Sequence, residues 1–517
     1  MRQGRWGGRL AALLLGAPLA LAFPRPGWWW LALVGLVPVL LLAVAAPSGG
    51  EAAVRAWLGG TGFFLAVNAF LVPTVGPFMV PLAMLLAVLW LPLGWLAWAL
   101  LGGAGRPGPR RLAAAMVLVP SAFVATEGLR SWDGLGGPWG LLGASQWNAP
   151  ALLSVAAVGG VWGLSFLLVA VNVAVAVAVG RRVPSPTRAT AAAAAVALPL
   201  AALGFWSLRP APPPAGTVRV AFVQPGVVGP VEERFSASER LSRSLPAGAR
   251  PDLVVWGESS VGRDPAANPG DIARLAGVAV AAGAPVLANV DAQREAGGGI
   301  YKSALLVGAT GVLGSYDKMR LVPFGEYVPL RPLLGWVTRL TDAAAVDRHR
   351  GSRLAVLPAG KLAVGPLVCF ESAFPDLARN LAADGADLVV VQTADTTFQG
   401  SWGLDQHASL SAVRAVESGR PVLQAALSGT SAAFDARGRR LAWAPGGWRG
   451  AAVVELPLSA ERTPYARAGD VVPLACWVVL AVGAVAAVAA RRRRLSRDGS
   501  GRRTGSTPQS TPARPRR

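Results

Sequence analysis

The chain has 517 residues, 53% hydrophobic and only 15% charged, where an ordinary soluble protein carries roughly a quarter charged. Its formal charge is +21, but the arginines stand in short clusters beside apolar segments, where membrane topology accounts for them without a nucleic-acid partner. Two cysteines exclude a disulfide framework, and the composition excludes a single soluble globule in favour of a membrane protein carrying a sizeable non-membrane domain.

A membrane helix needs about 20 mostly apolar residues. Such windows predict spans near 8–23, 28–46, 53–72, 79–101, 112–129, 152–179, 189–207 and 471–490. The first also looks like a secretory signal, with Arg2, Arg5 and Arg9 before an apolar run that reaches Ala20-Leu21-Ala22. The charge pattern favours keeping it as a span. With the N-terminus inside, the inner flanks carry Arg2, Arg5, Arg9, Arg55, Arg106, Arg110, Arg111, Arg181, Arg182 and Arg188, and the outer short loops carry Arg25 and Arg130. Eight spans, seven of them within 1–208 and the last at 470–490, place residues 209–469 outside. They return the tail 491–517, basic and disordered by composition, to the cytoplasm. Outside the cell membrane a free thiol is a liability unless it is used. Cys476, in the last apolar segment, reads as buried and structural.

"APPPAG" (211–216) reads as a stiff linker. Beyond it, short apolar runs predict strands: "VRVAFVQP" (218–225), "DLVVWGES" (252–259), "APVLANVDA" (284–292), "KSALLVGATG" (302–311), "KLAVGPLVCFES" (361–372), "DLVVVQTAD" (387–395) and "PVLQAALSG" (421–429). Alanine-rich stretches of helical period, such as "DIARLAGVAVAAG", lie between several of them. This alternation predicts an α/β domain with buried sheets, and about 260 residues can hold a full core.

Three polar residues fall at the ends of apolar runs, where α/β folds build their sites: Glu258 after "LVVWG", Lys318 in "GSYDKMRLVPFGEYVP" and Cys369 after "VGPLV". Lys318 is one of only three lysines among 49 basic residues, a place where a compact ammonium is kept in a chain that otherwise uses arginine. A neutral thiol is a poor nucleophile and needs a base or a nearby cation. Glu258 can take the thiol proton, Lys318 can stabilise thiolate and oxyanion, and the Phe370 N–H can supply a second oxyanion contact. That is acyl transfer through a thioester. The two histidines, His349 and His407, fall at no predicted strand end, which disfavours a Cys–His enzyme. CxxC, HExxH and Walker A patterns are all missing, so neither metal nor cofactor is expected.

"VVWGES", "YDKMRLVPFGEYVP" and "LVCFESAFP" together resemble the Glu-Lys-Cys triad of the nitrilase superfamily. With the membrane bundle, and "LVPFGEYVP" in particular, nearly the whole chain resembles the membrane-embedded apolipoprotein N-acyltransferase family. The resemblance implies an αββα sandwich on an eight-helix bundle in the cytoplasmic membrane. It implies Glu258 as general base, Lys318 at the oxyanion and Cys369 as nucleophile. A phospholipid would be the acyl donor and the amine of diacylglyceryl-cysteine on an apolipoprotein the acceptor. Glu326 and Glu371 match acids placed around the triad, with a structural acceptor role as the other reading. In the external stretch 127–148, Glu127, Arg130 and Trp139 are candidate lipid or substrate contacts; a Glu127–Arg130 pair and an interface anchor at Trp139 are the other readings. Trp336 and Trp402 are candidates in external arms. The sequence departs from the family at Ala394, where Asn is common before Asp395, which affects that loop's substrate contacts. Two other functions stay open: an amidase or acyltransferase with another acceptor, and a non-catalytic membrane scaffold or transporter.

Overall fold

A computed structural model describes residues 2–103, 107–135, 137–180, 183–210, 214–293, 299–339 and 346–501. Arg106, Arg181 and Arg182 of the charge pattern, and residues 502–517 of the tail, lie outside that set. Each of the eight predicted spans corresponds to a helical tract, but prolines and polar residues redraw several. The first is the helix Arg2–Gly16, which tightens into a 3₁₀ turn, Ala17–Ala22, at Pro18. The second divides into Trp29–Leu33 and Val37–Val44. Asn172, on a neighbouring helix, satisfies that break, accepting from Leu36 N–H and donating to the Ala32 carbonyl. The third runs over Gly49–Val67 rather than 53–72, because the Ser48 hydroxyl caps it by accepting from Glu51 N–H.

Pro73, Pro77 and Pro92 fall among short α and 3₁₀ turns between Ala69 and Leu101, since each removes a helical N–H. Then follow Pro109–Arg130, Ala156–Val179, Ser185–Leu208 and the C-terminal Val471–Gly501. This last helix carries the arginine run eleven residues past the expected boundary at 490, as the good helix propensity of Arg allows. Among the described residues, five helices are long and apolar enough to cross a membrane. Arg9 and Arg55, assigned to the same side by the charge pattern, meet on Glu51 at 2.8 and 3.3 Å.

The second half holds two six-stranded sheets. One has the order β12-β1-β2-β3-β4-β5, built from Gly450–Ser459 (β12), Pro214–Gln224 (β1), Leu253–Trp256 (β2), Val286–Ala292 (β3), Tyr301–Gly308 (β4) and Gly311–Asp317 (β5). The other has the order β11-β10-β9-β8-β7-β6, from Arg440–Ala444 (β11), Ser431–Phe434 (β10), Val422–Ala426 (β9), Leu388–Thr393 (β8), Leu362–Val368 (β7) and Leu357–Ala359 (β6). β1-β2-β3 and β7-β8-β9 are parallel, buried on both faces and therefore nearly continuous apolar runs. The sheets face each other through Val220, Phe222 and Val255 on one side and Val364, Val390 and Leu423 on the other.

Helices Val231–Arg243 and Pro269–Ala282 cover the outer face of the first sheet through Phe235, Leu275 and Val278. Helices Pro375–Ala383 and Gly403–Ser418 cover the second, completing an αββα sandwich. Their far side packs against the helical bundle in one continuous core that includes Leu153, Val161, Leu377 and Val413. Every residue of Gly403–Ser418 is buried as a result.

Candidate active site

The parallel strands of both sheets deliver their carboxyl ends to one place. Glu258 follows β2, with its backbone N–H donated to the Thr393 carbonyl at the end of β8. Gln392 spans the two sheets just below, donating to the Trp256 and Leu287 carbonyls. Ser259 next to Glu258 has a left-handed φ of +55° and is held by Lys302, whose ammonium also lies 2.5 Å from Asp291.

Lys318, immediately after β5, is 1% exposed, with its N–H donated to the Lys302 carbonyl. Its ammonium lies 2.9 Å from Glu326 and 3.6 Å from Glu258. The "VPFGE" segment makes this possible by turning back on itself. Phe324 takes φ +63°, Glu326 N–H donates to the Val322 carbonyl, and the Glu326 carboxylate accepts from Val322 N–H at 2.9 Å. Burial pulls the Lys318 pKa down, but the Glu326 and Glu258 carboxylates overcome it and hold the group above its ordinary value, so the ammonium stays charged. Burial likewise works upward on Glu326, and the Lys318 ammonium brings it below its usual range.

Cys369 follows β7 directly with φ +54°, a conformation that costs an L-residue roughly 1–2 kcal/mol and turns the chain sharply. Burial, and then the charge of Glu258, push its thiol well above the ordinary value; Lys318 offsets only part of this. The resting thiol is therefore protonated and needs a base in reach. Glu258 is the carboxylate whose charge bears most on it.

Glu371 is fully buried and reaches away from the thiol. One oxygen accepts from Tyr316 O–H at 2.7 Å, Met319 N–H at 2.7 Å and Arg320 N–H at 3.1 Å; the other accepts from Val368 N–H at 2.8 Å. It fastens the turn carrying Lys318 to the turn carrying Cys369.

His407, which sequence reasoning set aside, and Asp395, to which it gave no role, also reach Cys369. His407, in the first turn and a half of Gly403–Ser418, places Nε2 3.0 Å from the Cys369 carbonyl and Nδ1 2.8 Å from Asp395. Burial works against its charge, but the Asp395 carboxylate raises its pKa above the ordinary value. Cys369, Asp395 and His407 each bring a potential ligand atom within 4.8 Å of the others, with both imidazole nitrogens already engaged in these hydrogen bonds. The QH pair at 406–407, so soon after the β8 run, was the available signal.

Residues 15–174 match the family described as apolipoprotein N-acyltransferase N-terminal domain, and residues 219–464 match carbon-nitrogen hydrolase. A Geobacter metallireducens protein named apolipoprotein N-acyltransferase is 32% identical over 508 residues, covering 94% of this chain and 96% of its own. One of the same name from Caulobacter vibrioides is 32% identical over 542 residues, covering 96% and 99%. The chain belongs to the apolipoprotein N-acyltransferase family. As a member of that family it is an acyltransferase and a membrane protein, with the nitrilase-like fold in its second half. Among solved structures, a carbon-nitrogen hydrolase from Helicobacter pylori aligns over 49% of this chain and 92% of its own, at 18% identity and a TM-score of 0.39.

The part that marks this apolipoprotein N-acyltransferase family member off from a free-standing hydrolase is the bundle, and one bundle loop reaches the site. Trp139 stacks on Phe370 at 6.5 Å between centroids and donates its indole N–H to Gln406 at 3.1 Å. Arg130 donates to the Trp139 carbonyl at 2.5 Å, which fixes that loop from below. Glu127 is buried and accepts from Leu142 N–H at 2.7 Å. Each of these two therefore holds the loop's backbone. Trp336, 49% exposed, meets Phe78 of the bundle edge-on at 5.8 Å. Trp402 is half-buried at the start of Gly403–Ser418.

Proposed function

We propose that this protein moves a fatty acyl chain from a phospholipid, through a thioester on Cys369, to the N-terminal amine of diacylglyceryl-cysteine in apolipoproteins. The observation that carries the reading is the convergence of Glu258, Lys318 and Cys369 in a buried site one face of which is a loop of the apolar bundle.

Glu258 takes the proton from Cys369 Sγ, and the thiolate attacks the lipid ester carbonyl. Lys318 and the Phe370 N–H receive the negative charge that develops on the carbonyl oxygen. The ester C–O bond breaks, the glycerol oxygen leaves with the proton held by Glu258, and a lysophospholipid departs. The lipoprotein amine then attacks the thioester, gives a proton to Glu258, and Cys369 is released as the thiol. The thioester keeps the acyl group reactive without any nucleotide. Glu326 and Glu371 position Lys318 and Cys369, and Glu127, Arg130 and Trp139 shape the lipid side, with Trp336 and Trp402 at its margins.

The same reading sets the bundle of residues 1–208 and the last span at 470–490 in the cytoplasmic membrane. Residues 209–469 then lie on its outer side, and both termini with the tail 491–517 are cytoplasmic. Intact mass spectrometry of the purified protein with phospholipid tests the chemistry. Wild type is expected to gain one hydroxylamine-sensitive acyl mass and Cys369→Ala none. A wild type that gains none would sink the reading, and acyl groups passed only to water would leave an amidase.

A further inference from the structure

The Cys369–Phe370 peptide has one feature the triad does not use: its carbonyl is gripped. A carbonyl oxygen only accepts, so the 3.0 Å contact requires His407 Nε2 to carry a proton. Nδ1 faces the Asp395 carboxylate at 2.8 Å and so carries the other. Asp395 is itself fixed, by its N–H to the Ser428 carbonyl and by the Thr393 hydroxyl at 3.1 Å. Gly429 leaves it room: with φ +121°, a Cβ there would stand 2.6 Å from the Asp395 carboxylate. On the other side of the nucleophile, Glu371 holds Val368 N–H at 2.8 Å.

A peptide unit is planar and trans, so its C=O and N–H point in opposite directions. A group that fixes the Cys369 carbonyl therefore also fixes where the Phe370 N–H points. We infer that His407, backed by Asp395, is a positioning residue that locks the Cys369–Phe370 peptide plane and so aims the Phe370 N–H as an oxyanion donor. The left-handed backbone at Cys369 makes such a lock necessary, because an unbraced L-residue leaves that conformation readily. This inference rests on Cys369 as nucleophile but not on the identity of the acyl donor.

The test compares two reactions of one thiol. Acylation by p-nitrophenyl butyrate passes through an oxyanion: the C–S bond forms, then the C–O bond breaks and p-nitrophenolate leaves. Alkylation by iodoacetamide forms a C–S bond and expels iodide with no oxyanion. In the full-length protein, with Cys369→Ala as background and both rates expressed per thiolate from their pH profiles, His407→Leu is expected to slow acylation about a hundredfold, the usual cost of one oxyanion donor, and alkylation less than about threefold. His407→Gln keeps an N–H near the Nε2 position and is expected to recover acylation to within about tenfold of wild type. If the Leu variant does not fold, His407→Asn replaces it, because its shorter amide stays on the Asp395 side and misses the carbonyl. Acylation and alkylation falling together, or Gln acylating no faster than Leu or Asn, would overturn the lock. Wild type acylated by the ester but not by phospholipid would instead overturn the proposed donor, and wild type alkylated but acylated by neither would overturn the nucleophile and the lock together.

Discussion

At the scale of single residues, the site is a balance of charges in a buried place. Lys318 sits between two carboxylates and stays charged, while Cys369 sits beside Glu258 and stays protonated. The proton on the thiol is thus held partly by the proposed base itself. Neutralising that base has opposite effects on two measurements. Glu258→Gln removes a negative neighbour, so the Cys369 pKa falls and the iodoacetamide rate profile moves to lower pH; acyl-enzyme formation drops by about a hundredfold or more. Asp395 still pushes the thiol up and Lys318 still pulls it down, so the shift is partial. A profile that stays in place or moves to higher pH would show that Glu258 does not face the thiol.

At the scale of elements, short turns at the strand ends carry the chemistry, and buried side chains fasten the turns to one another. Glu371 is the clearest case, with four hydrogen bonds joining the segment after β5 to the end of β7. Glu371→Gln keeps the size but replaces one acceptor oxygen with an amide facing N–H groups. It is expected to cost about 1–3 kcal/mol, read as a lowered melting temperature in detergent, with Lys318 and Cys369 themselves unchanged. Melting at the wild-type temperature would mean that the bracket does not bear on stability.

Glu258 and Cys369 were legible in the sequence because each breaks an apolar run at the point where a buried strand must end, and Lys318 because it is one of three lysines in a chain that otherwise uses arginine. His407 and Asp395 were not. Asp395 follows β8 and His407 lies on the next helix, and only the packing of that helix over the second sheet brings the ring to Cys369. Strands β5, β6, β10 and β11 were also missed, since short strands such as "GVLGSYD" carry no long apolar run, and the ten-residue β12 was missed because Glu455 and Pro457 interrupt its apolar residues. The helical tracts were legible from hydropathy, but not their breaks, because the predicted windows weighed apolarity and not the N–H that each proline removes.

At the scale of the whole molecule, the sandwich and the bundle share polar ties as well as a core. The helix Ala156–Val179 departs from helical geometry at Gly160, φ +64°, and the freed Val161 N–H is taken by Glu417 of the sandwich at 2.7 Å. Arg414 lies 3.0 Å from the other Glu417 oxygen, and both side chains are fully buried. Glu417→Ala strands that arginine and that N–H together and is expected to destabilise the protein by about 3–5 kcal/mol. Calorimetry would show it as a melting transition moved far down or divided in two; an unchanged single transition would contradict the tie.

The helix Gly403–Ser418 has no wet side. During synthesis, the bundle helix Ala156–Val179 and the helix Pro375–Ala383 that pack on it are made before it, whereas the strands β9 and β10 beneath it follow. The bundle side of its cover is therefore already in existence when it emerges, and the sheet side is added afterwards. A sandwich cut free of its bundle would present that helix to water, and its failure to stay in solution would be a matter of missing template rather than of a faulty hydrolase fold. In this chain, the order of residues puts part of the template ahead of the segment it receives.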